Sequence, residues 1–279
     1  MDVKIAKNAG FCFGVKRAMK MAWNELESSN DGIYALGPLI HNKQAVSKYE
    51  ENGLKTIEEV YDVPLGKSMI IRSHGVGKEI YSKSLDRGIN IIDTTCPFVK
   101  KIHTIVKDAY DNGSNIIVIG DVSHPEVIGI NGWCENSANV IKSVDEVNSI
   151  NLDSSKTYCV VSQTTINLDM YEKIVNELSK LVKNITFNNT ICSSTKVRQQ
   201  AARDLAEGVD CVIVIGGKHS SNTQKLVNIC KDLVPTFAIE TKDELNAQSF
   251  KKYKTIGVTA GASTPDWIIE DVINFINAI

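Results

Sequence analysis

No apolar stretch in this chain approaches the roughly 18 residues that a membrane-spanning helix needs, so no membrane association is expected. The opening residues, Met1-Asp-Val-Lys-Ile-Ala-Lys, lack the apolar core of a signal peptide. No long run of a single charge occurs and the formal net charge is −2, which argues against a nucleic-acid partner. Neither a Walker lysine loop nor a dinucleotide glycine fingerprint is present, which leaves nucleotide binding without support. These absences together lead to the expectation of a cytoplasmic protein. There the seven cysteines stay reduced, which disfavours disulfides and gives weight to a metal or redox role.

What the chain does contain is a triple repeat. Cys12-Phe-Gly-Val-Lys16, Cys96-Pro-Phe-Val-Lys100 and Cys192-Ser-Ser-Thr-Lys196 each stand where an apolar strand gives way to a helix. A glycine closing the next apolar run follows these cysteines by 25, 24 and 24 residues, at Gly37, Gly120 and Gly216. Polar clusters come directly after, containing His41, then His124-Pro-Glu126, then His219-Ser220-Ser221-Asn222. A third set lies further on, at Ser73-His74-Gly75, Gln163-Thr164-Thr165 and Gly261-Ala-Ser263. One α/β unit repeated three times accounts for this spacing.

Short buried strands are expected at Val3 to Ala6, Ile33 to Leu36, Met69 to Ile71, Ile89 to Ile92, Ile116 to Ile119, Cys159 to Val161, Cys211 to Ile215 and Thr255 to Val258. Val15, Ala18, Met19, Ala22, Trp23 and Leu26 recur at helical spacing after Cys12. Strands separated by helices imply parallel pairing through right-handed crossovers, hence a small parallel four-stranded sheet in each unit. The third unit lacks its last strand, because only a helix from Pro265 to about Ala278 remains after Ser263. Val3 to Ala6 supplies the missing strand and closes the units into a ring. The units then run over residues 13–96, 97–191, and 192–279 with 1–12. Their polar clusters lie at the C-terminal ends of parallel strands, where open α/β sheets bind ligands.

Three thiolates converging on a near three-fold axis suit a metal centre with one open position: zinc with a water, or a four-iron cluster with one exposed iron. Cys134, Cys159, Cys211 and Cys230 read instead as small buried core residues. The repeated lysines are weaker signals, since most first-turn lysines are simply solvated. His41, His74, Ser220, Ser221, Asn222 and Ser263, with helix N-termini nearby, suit an anion. His103 and His219 read as structural.

The motifs Gly10-Phe-Cys12-Phe-Gly-Val, Gly37-Pro-Leu-Ile-His41-Asn, Arg72-Ser-His74-Gly-Val, Asp93-Thr-Thr-Cys96-Pro, His124-Pro-Glu126-Val, Gln163-Thr-Thr, Ile191-Cys192, Ser220-Ser-Asn222 and Gly261-Ala-Ser263-Thr-Pro-Asp occur in order along essentially the whole chain. In them the chain resembles the 4-hydroxy-3-methylbut-2-enyl diphosphate reductases, iron-sulfur enzymes of the non-mevalonate isoprenoid pathway. The resemblance implies a ring of three α/β units around one 4Fe-4S cluster per chain, held by Cys12, Cys96 and Cys192. It implies reductive removal of the allylic hydroxyl from an allylic diphosphate on the open iron, giving isopentenyl and dimethylallyl diphosphates. Glu126 would donate the proton, with a carboxyl pKa raised by neighbouring negative charge and burial. His124 and Thr164 would orient the hydroxyl and relay protons, and His41, His74, His124, Thr164, Thr165, Ser220, Ser221, Asn222 and Ser263 would bind substrate. Having no flavin or nicotinamide motif, the chain would take electrons from a ferredoxin or flavodoxin. A zinc or metal-independent phosphate-ester hydrolase and a non-enzymatic cluster protein serving electron transfer or sensing are the rival classes.

Overall fold

The computed structural model describes residues 1–29 and 32–279. Among the described residues the strands are β1 (Asp2–Ile5), β2 (Ile33–Leu36), β3 (Leu54–Ile57), β4 (Ser68–Ile71), β5 (Asn90–Asp93), β6 (Asn115–Ile119), β7 (Asn139–Ile141), β8 (Tyr158–Ser162), β9 (Ile185–Phe187), β10 (Cys211–Ile215), β11 (Thr236–Ile239) and β12 (Thr255–Ala260). They form three four-stranded sheets, ordered β3-β2-β4-β5, β7-β6-β8-β9 and β11-β10-β12-β1, with every pairing parallel. The three orders are the same once β1 takes the fourth place of the last sheet. Asp2 to Ile5 lie in register with Thr255 to Val258, so the N-terminal strand completes that sheet as expected.

The helices explain why the central strands are apolar along their whole length. A parallel sheet is covered on both faces, so successive side chains all meet a core. The chain forms two compact units: residues 1–16, 40–52 and 193–279, and residues 17–39 and 53–192. In the first, Cys211, Ile213 and Ile215 pack with Ile268, Val272 and Ile276 of helix Asp266–Asn277. On the opposite face of the same strand, Val212 and Val214 pack with Ala202 and Ala206 of helix Ser193–Ala206 and with Leu226 and Cys230 of helix Ser221–Lys231.

The second unit contains the other two sheets. Ile117, Ile119 and Val160 meet Tyr171, Ile174 and Leu178 of helix Leu168–Leu181. Ile116, Val118 and Val161 meet Ile102 and Val106 of helix Pro97–Asp111 and Val127 and Ile130 of helix Pro125–Asn131. Leu36, Met69 and Ile71 gather with Val60, Val63, Val76 and Ile89 in a third core. Full burial of one such side chain contributes about 1.5–3 kcal/mol. Among the described residues no helix is long and apolar enough to cross a membrane.

Most expected strands stand within a residue or two of their observed bounds. β3, β7, β9 and β11 have no bounds in the sequence reading; all four lie at sheet edges, and β9 (Ile185–Phe187), three residues long and only partly buried, carries no apolar run to mark it. His103 occupies a structural place. Its ring is 4% exposed and stacks on Trp133 at 5.2 Å. Burial lowers its pKa from 6.5 to about 4, against the opposing field of Asp93. Between those two values the unfolded chain binds a proton that the folded chain does not, so stability declines as pH falls through that window. Thermal melts of the cluster-free protein from near neutral pH down to mildly acid pH are expected to show this slope, and His103→Gln should flatten it. An unchanged slope in that variant would assign the acid sensitivity to other groups.

Candidate functional site

The three repeated cysteines occupy one topological position. Cys12 follows β1, Cys96 follows β5 and Cys192 follows β9, each strand being the fourth of its sheet, and each cysteine directly precedes a helix. Backbone contacts hold each one to the end of a central strand's loop. The Cys12 N–H donates to the Ala262 carbonyl at 3.3 Å, that of Cys96 to Ser73 at 3.0 Å and that of Cys192 to Thr164 at 3.0 Å. All seven cysteines are free thiols, but only these three are partly exposed. Cys134, Cys159, Cys211 and Cys230 are buried, and burial pushes the thiols of Cys211 and Cys230 up to about 12 and about 11. A cysteine binds metal as its thiolate, so the buried four are poor donors and the partly exposed three suit a metal-sulfur group.

The lysines one turn beyond the cysteines do not behave alike. Lys16 and Lys196 are exposed, whereas Lys100 reaches back to Asp93 at 2.6 Å. Asp93 also accepts the Thr95 N–H at 2.9 Å, so this pair braces the loop leading into Cys96.

In the second unit, the ends of β6 and β8 bring Glu126 and Thr164 together. Pro125 starts helix Pro125–Asn131 and His124 caps it, its Nδ1 accepting the Glu126 N–H at 3.1 Å. Accepting that bond leaves the proton of a neutral ring on Nε2, so His124 presents a donor on its far side. The His74 ring lies edge-on to it, with centroids 5.5 Å apart. Glu126 is 3% exposed, and its two oxygens are both engaged by Thr164: Oε1 accepts the Thr164 N–H at 2.5 Å and Oε2 lies 2.8 Å from the Thr164 Oγ1. Asp121, the other acid of this cluster, is bound to Lys142 at 2.5 Å and accepts two bonds from Ser123. Those contacts hold its carboxyl well below the usual range, which keeps it ionised and unfit as an acid.

In the first unit a different set gathers where β10 and β12 end at the start of helix Ser221–Lys231. Ser220 caps that helix, its Oγ accepting the Thr223 N–H. The Ser263 Oγ donates to the His41 carbonyl at 3.3 Å. A Cβ at Gly217 would collide with that same carbonyl, so only glycine lets the His41 loop approach so closely. Asn222 is 5% exposed, and its Nδ2 is a buried donor with no hydrogen-bond partner among the described residues. A spare buried donor beside a helix N-terminus suits an anion. His219 is exposed and plays no part in this set.

A family model described as LytB protein matches residues 3–277. The chain belongs to the LytB family. A curated LytB-family relative, the 4-hydroxy-3-methylbut-2-enyl diphosphate reductase of Clostridioides difficile (strain 630), is 65% identical over 99% of both chains. The protein of the same name from Alkaliphilus oremlandii (strain OhILAs) is 50% identical, again over 99% of both. Among solved structures, the E-1-hydroxy-2-methyl-but-2-enyl-4-diphosphate reductase from Plasmodium falciparum superposes with a TM-score of 0.92 at 31% identity, covering 99% of this chain and 87% of that one. A structure titled as (E)-4-hydroxy-3-methyl-but-2-enyl diphosphate reductase, the terminal enzyme of the non-mevalonate pathway, matches with a TM-score of 0.75 at 39% identity over the full length of both.

Two polar residues of this LytB-family chain were not singled out from its sequence. Gln163 is 2% exposed; its Oε1 accepts the Asp121 N–H at 3.2 Å and its Nε2 donates to the Thr165 Oγ1 at 2.9 Å, tying the β6 end to the β8 end. Asn42 caps helix Lys43–Glu50 through Oδ1, and its buried Nδ2 has no partner among the described residues. Both stand inside motifs that marked their neighbours, which was the available signal.

Proposed function

We infer that this chain carries the activity named for its relatives, the reduction of 4-hydroxy-3-methylbut-2-enyl diphosphate. The observation that carries this reading is the shared position of Cys12, Cys96 and Cys192 after the fourth strand of three identically ordered sheets, in a chain 65% identical end to end to a reductase of that name. In this proposal the three thiolates hold one 4Fe-4S cluster, and the chain divides into repeat units at 13–96, 97–191, and 192–279 with 1–12. When bound, such a cluster supplies electrons one at a time and a Lewis-acidic iron.

The chain's own groups do the rest. Two electrons and two protons convert the substrate to isopentenyl or dimethylallyl diphosphate and water: the allylic C–O bond breaks, a C–H bond forms, and one proton leaves with the hydroxyl. Glu126 stores that proton on Oε2, since Oε1 already accepts from the Thr164 backbone. The Thr164 hydroxyl, able both to accept and to donate, passes it outward. His124 orients the hydroxyl through Nε2–H, and His74 stands beside it. His41, Ser220, Ser221, Asn222 and Ser263 receive the diphosphate, with Thr165 held for the same task by Gln163. Electrons come from a ferredoxin or flavodoxin, because the sequence carries no flavin or nicotinamide motif.

The test is anaerobic. Purified protein with counted iron and sulfide, a reduced ferredoxin and the allylic diphosphate should release the two five-carbon diphosphates. A colourless protein that releases phosphate instead would establish the hydrolase reading, and a cluster protein that binds no diphosphate the non-catalytic one. Contacts remote from the breaking bond should act on binding and positioning. Alanine at His41, Ser221 or Asn222 is therefore expected to weaken substrate binding by about 1–3 kcal/mol each, with the visible spectrum unchanged. Titration of substrate against that spectrum would measure it, and unchanged affinity in all three variants would put the diphosphate elsewhere.

A further inference from the structure

The segment between β1 and Cys12 has an unusual backbone. Asn8 and Gly10 both adopt left-handed conformations, with φ of +62° and +89°. Asparagine adopts that state more readily than other residues with a Cβ, and here a buried side chain fixes it. The carbonyls of both residues meet one buried side chain, Arg198, which is 2% exposed. Its Nε donates to the Asn8 carbonyl at 2.8 Å and one terminal nitrogen to the Gly10 carbonyl at 2.8 Å. The other terminal nitrogen reaches Ser194, the hydroxyl at 2.9 Å and the carbonyl at 3.3 Å.

One planar fork thus touches the chain two residues before Cys12 and two residues after Cys192. The far side of Gly10 is filled as well: a Cβ there would stand 3.0 Å from Ile269 and 3.1 Å from the Asp266 carboxylate. By contrast, the Cys12 backbone's own bond, to Ala262, is long at 3.3 Å. The guanidinium is therefore the firmer anchor of this loop. A related contact recurs before Cys96, where Arg17 donates to the Thr95 carbonyl at 3.3 Å.

We propose that Arg198 is a positioning residue that sets the backbone of the Cys12 arm, and of the chain leaving Cys192, in the geometry that retains the metal-sulfur centre. This rests on the ligand assignment made above. The requirement is for a fork, not for charge. Lysine keeps the positive charge but offers its three donors from a single point, so it cannot span Asn8, Gly10 and Ser194 together.

The experiment uses holoprotein prepared anaerobically as wild type, Arg198→Lys, Arg198→Met and Cys12→Ser. Iron and sulfide per chain, the rate of iron release to a chelator and the melting temperature are measured on each. In the cluster-free forms, the rate of Cys12 alkylation is read by peptide mass spectrometry against Cys134 as an internal standard. Arg198→Lys is expected to fold, to lose iron about 10–100-fold faster, the usual scale for residues that orient metal ligands, and to alkylate Cys12 faster than wild type. Wild-type iron release and wild-type alkylation overturn the proposal, and so does a lowered melting temperature with wild-type release. Should neither Arg198 variant fold, Ser194→Ala removes one acceptor of the fork and carries the same readouts: faster release supports the proposal and wild-type release overturns it. Full cluster retention by Cys12→Ser would sink the ligand assignment itself, whereas its loss there beside wild-type behaviour in Arg198→Lys sinks only the role of Arg198.

Discussion

Serine at Cys12, Cys96 or Cys192, one at a time, is expected to leave a folded chain without an intact cluster, while serine at Cys134 or Cys230 leaves iron and sulfide at the wild-type level. The contrast follows from where the thiols sit. Cys134 lies in the core of the second unit with Ile102, Val127 and Ile130, and its Sγ approaches the Asn131 carbonyl at 3.2 Å. A serine there keeps an acceptor for its hydroxyl, so the fold tolerates it. Cys230 faces Ala202 and Leu226 in the first unit. Burial raises the pKa of both thiols, and neither becomes a thiolate in place. The repeated three are partly exposed at helix starts, where the backbone N–H groups of the first turn favour negative charge, as in the approach of the Val15 N–H to the Cys12 Sγ at 3.5 Å. Iron and sulfide counts with electron paramagnetic resonance of the reduced protein check the prediction. Loss of iron from Cys134→Ser would overturn the assignment.

Glutamine at Glu126 is expected to lower turnover by roughly a hundredfold or more, with substrate affinity little changed. The replacement keeps the shape. Oε1 can still accept the Thr164 N–H, and the amide nitrogen can donate to the Thr164 hydroxyl in place of the carboxyl oxygen. What is lost is a transferable proton at the inner end of the pair. Asparagine at Asp121 is the matched control: its carboxylate serves Lys142 and Ser123, so turnover there should stay near wild type. Steady-state rates under anaerobic conditions with saturating electron donor decide between them. Near-normal turnover by Glu126→Gln would move the proton to another donor, and a collapse confined to Asp121→Asn would reverse the two roles.

The pattern of alternation and spacing carries much of this architecture without reference to distant contacts. Strand faces follow from local sequence, because a central parallel strand such as Cys211–Ile215 must be apolar on both sides. The unpaired third unit exposed the need for a strand from the other terminus, and β1 occupies that place. Ile185–Phe187 escaped the same reading because a short edge strand needs no apolar run.

The repeat of cysteines, the polar clusters at strand ends and the chain's closure onto its own first strand were thus determined by the sequence alone. The partners of the two neighbouring acids were not: His124-Pro-Glu126 and Asp121 stand together in the sequence, and only the fold commits Asp121 to Lys142 and Glu126 to a threonine 38 residues away. Arg198 is the extreme case. No motif in the sequence marks it, yet it is buried against Asn8, 190 residues distant in the chain. Periodicity is a property of neighbouring residues, so the sequence displays it directly. A hydrogen bond between remote side chains exists only once the backbone has brought them within about 3 Å of each other, which is the work of tertiary packing.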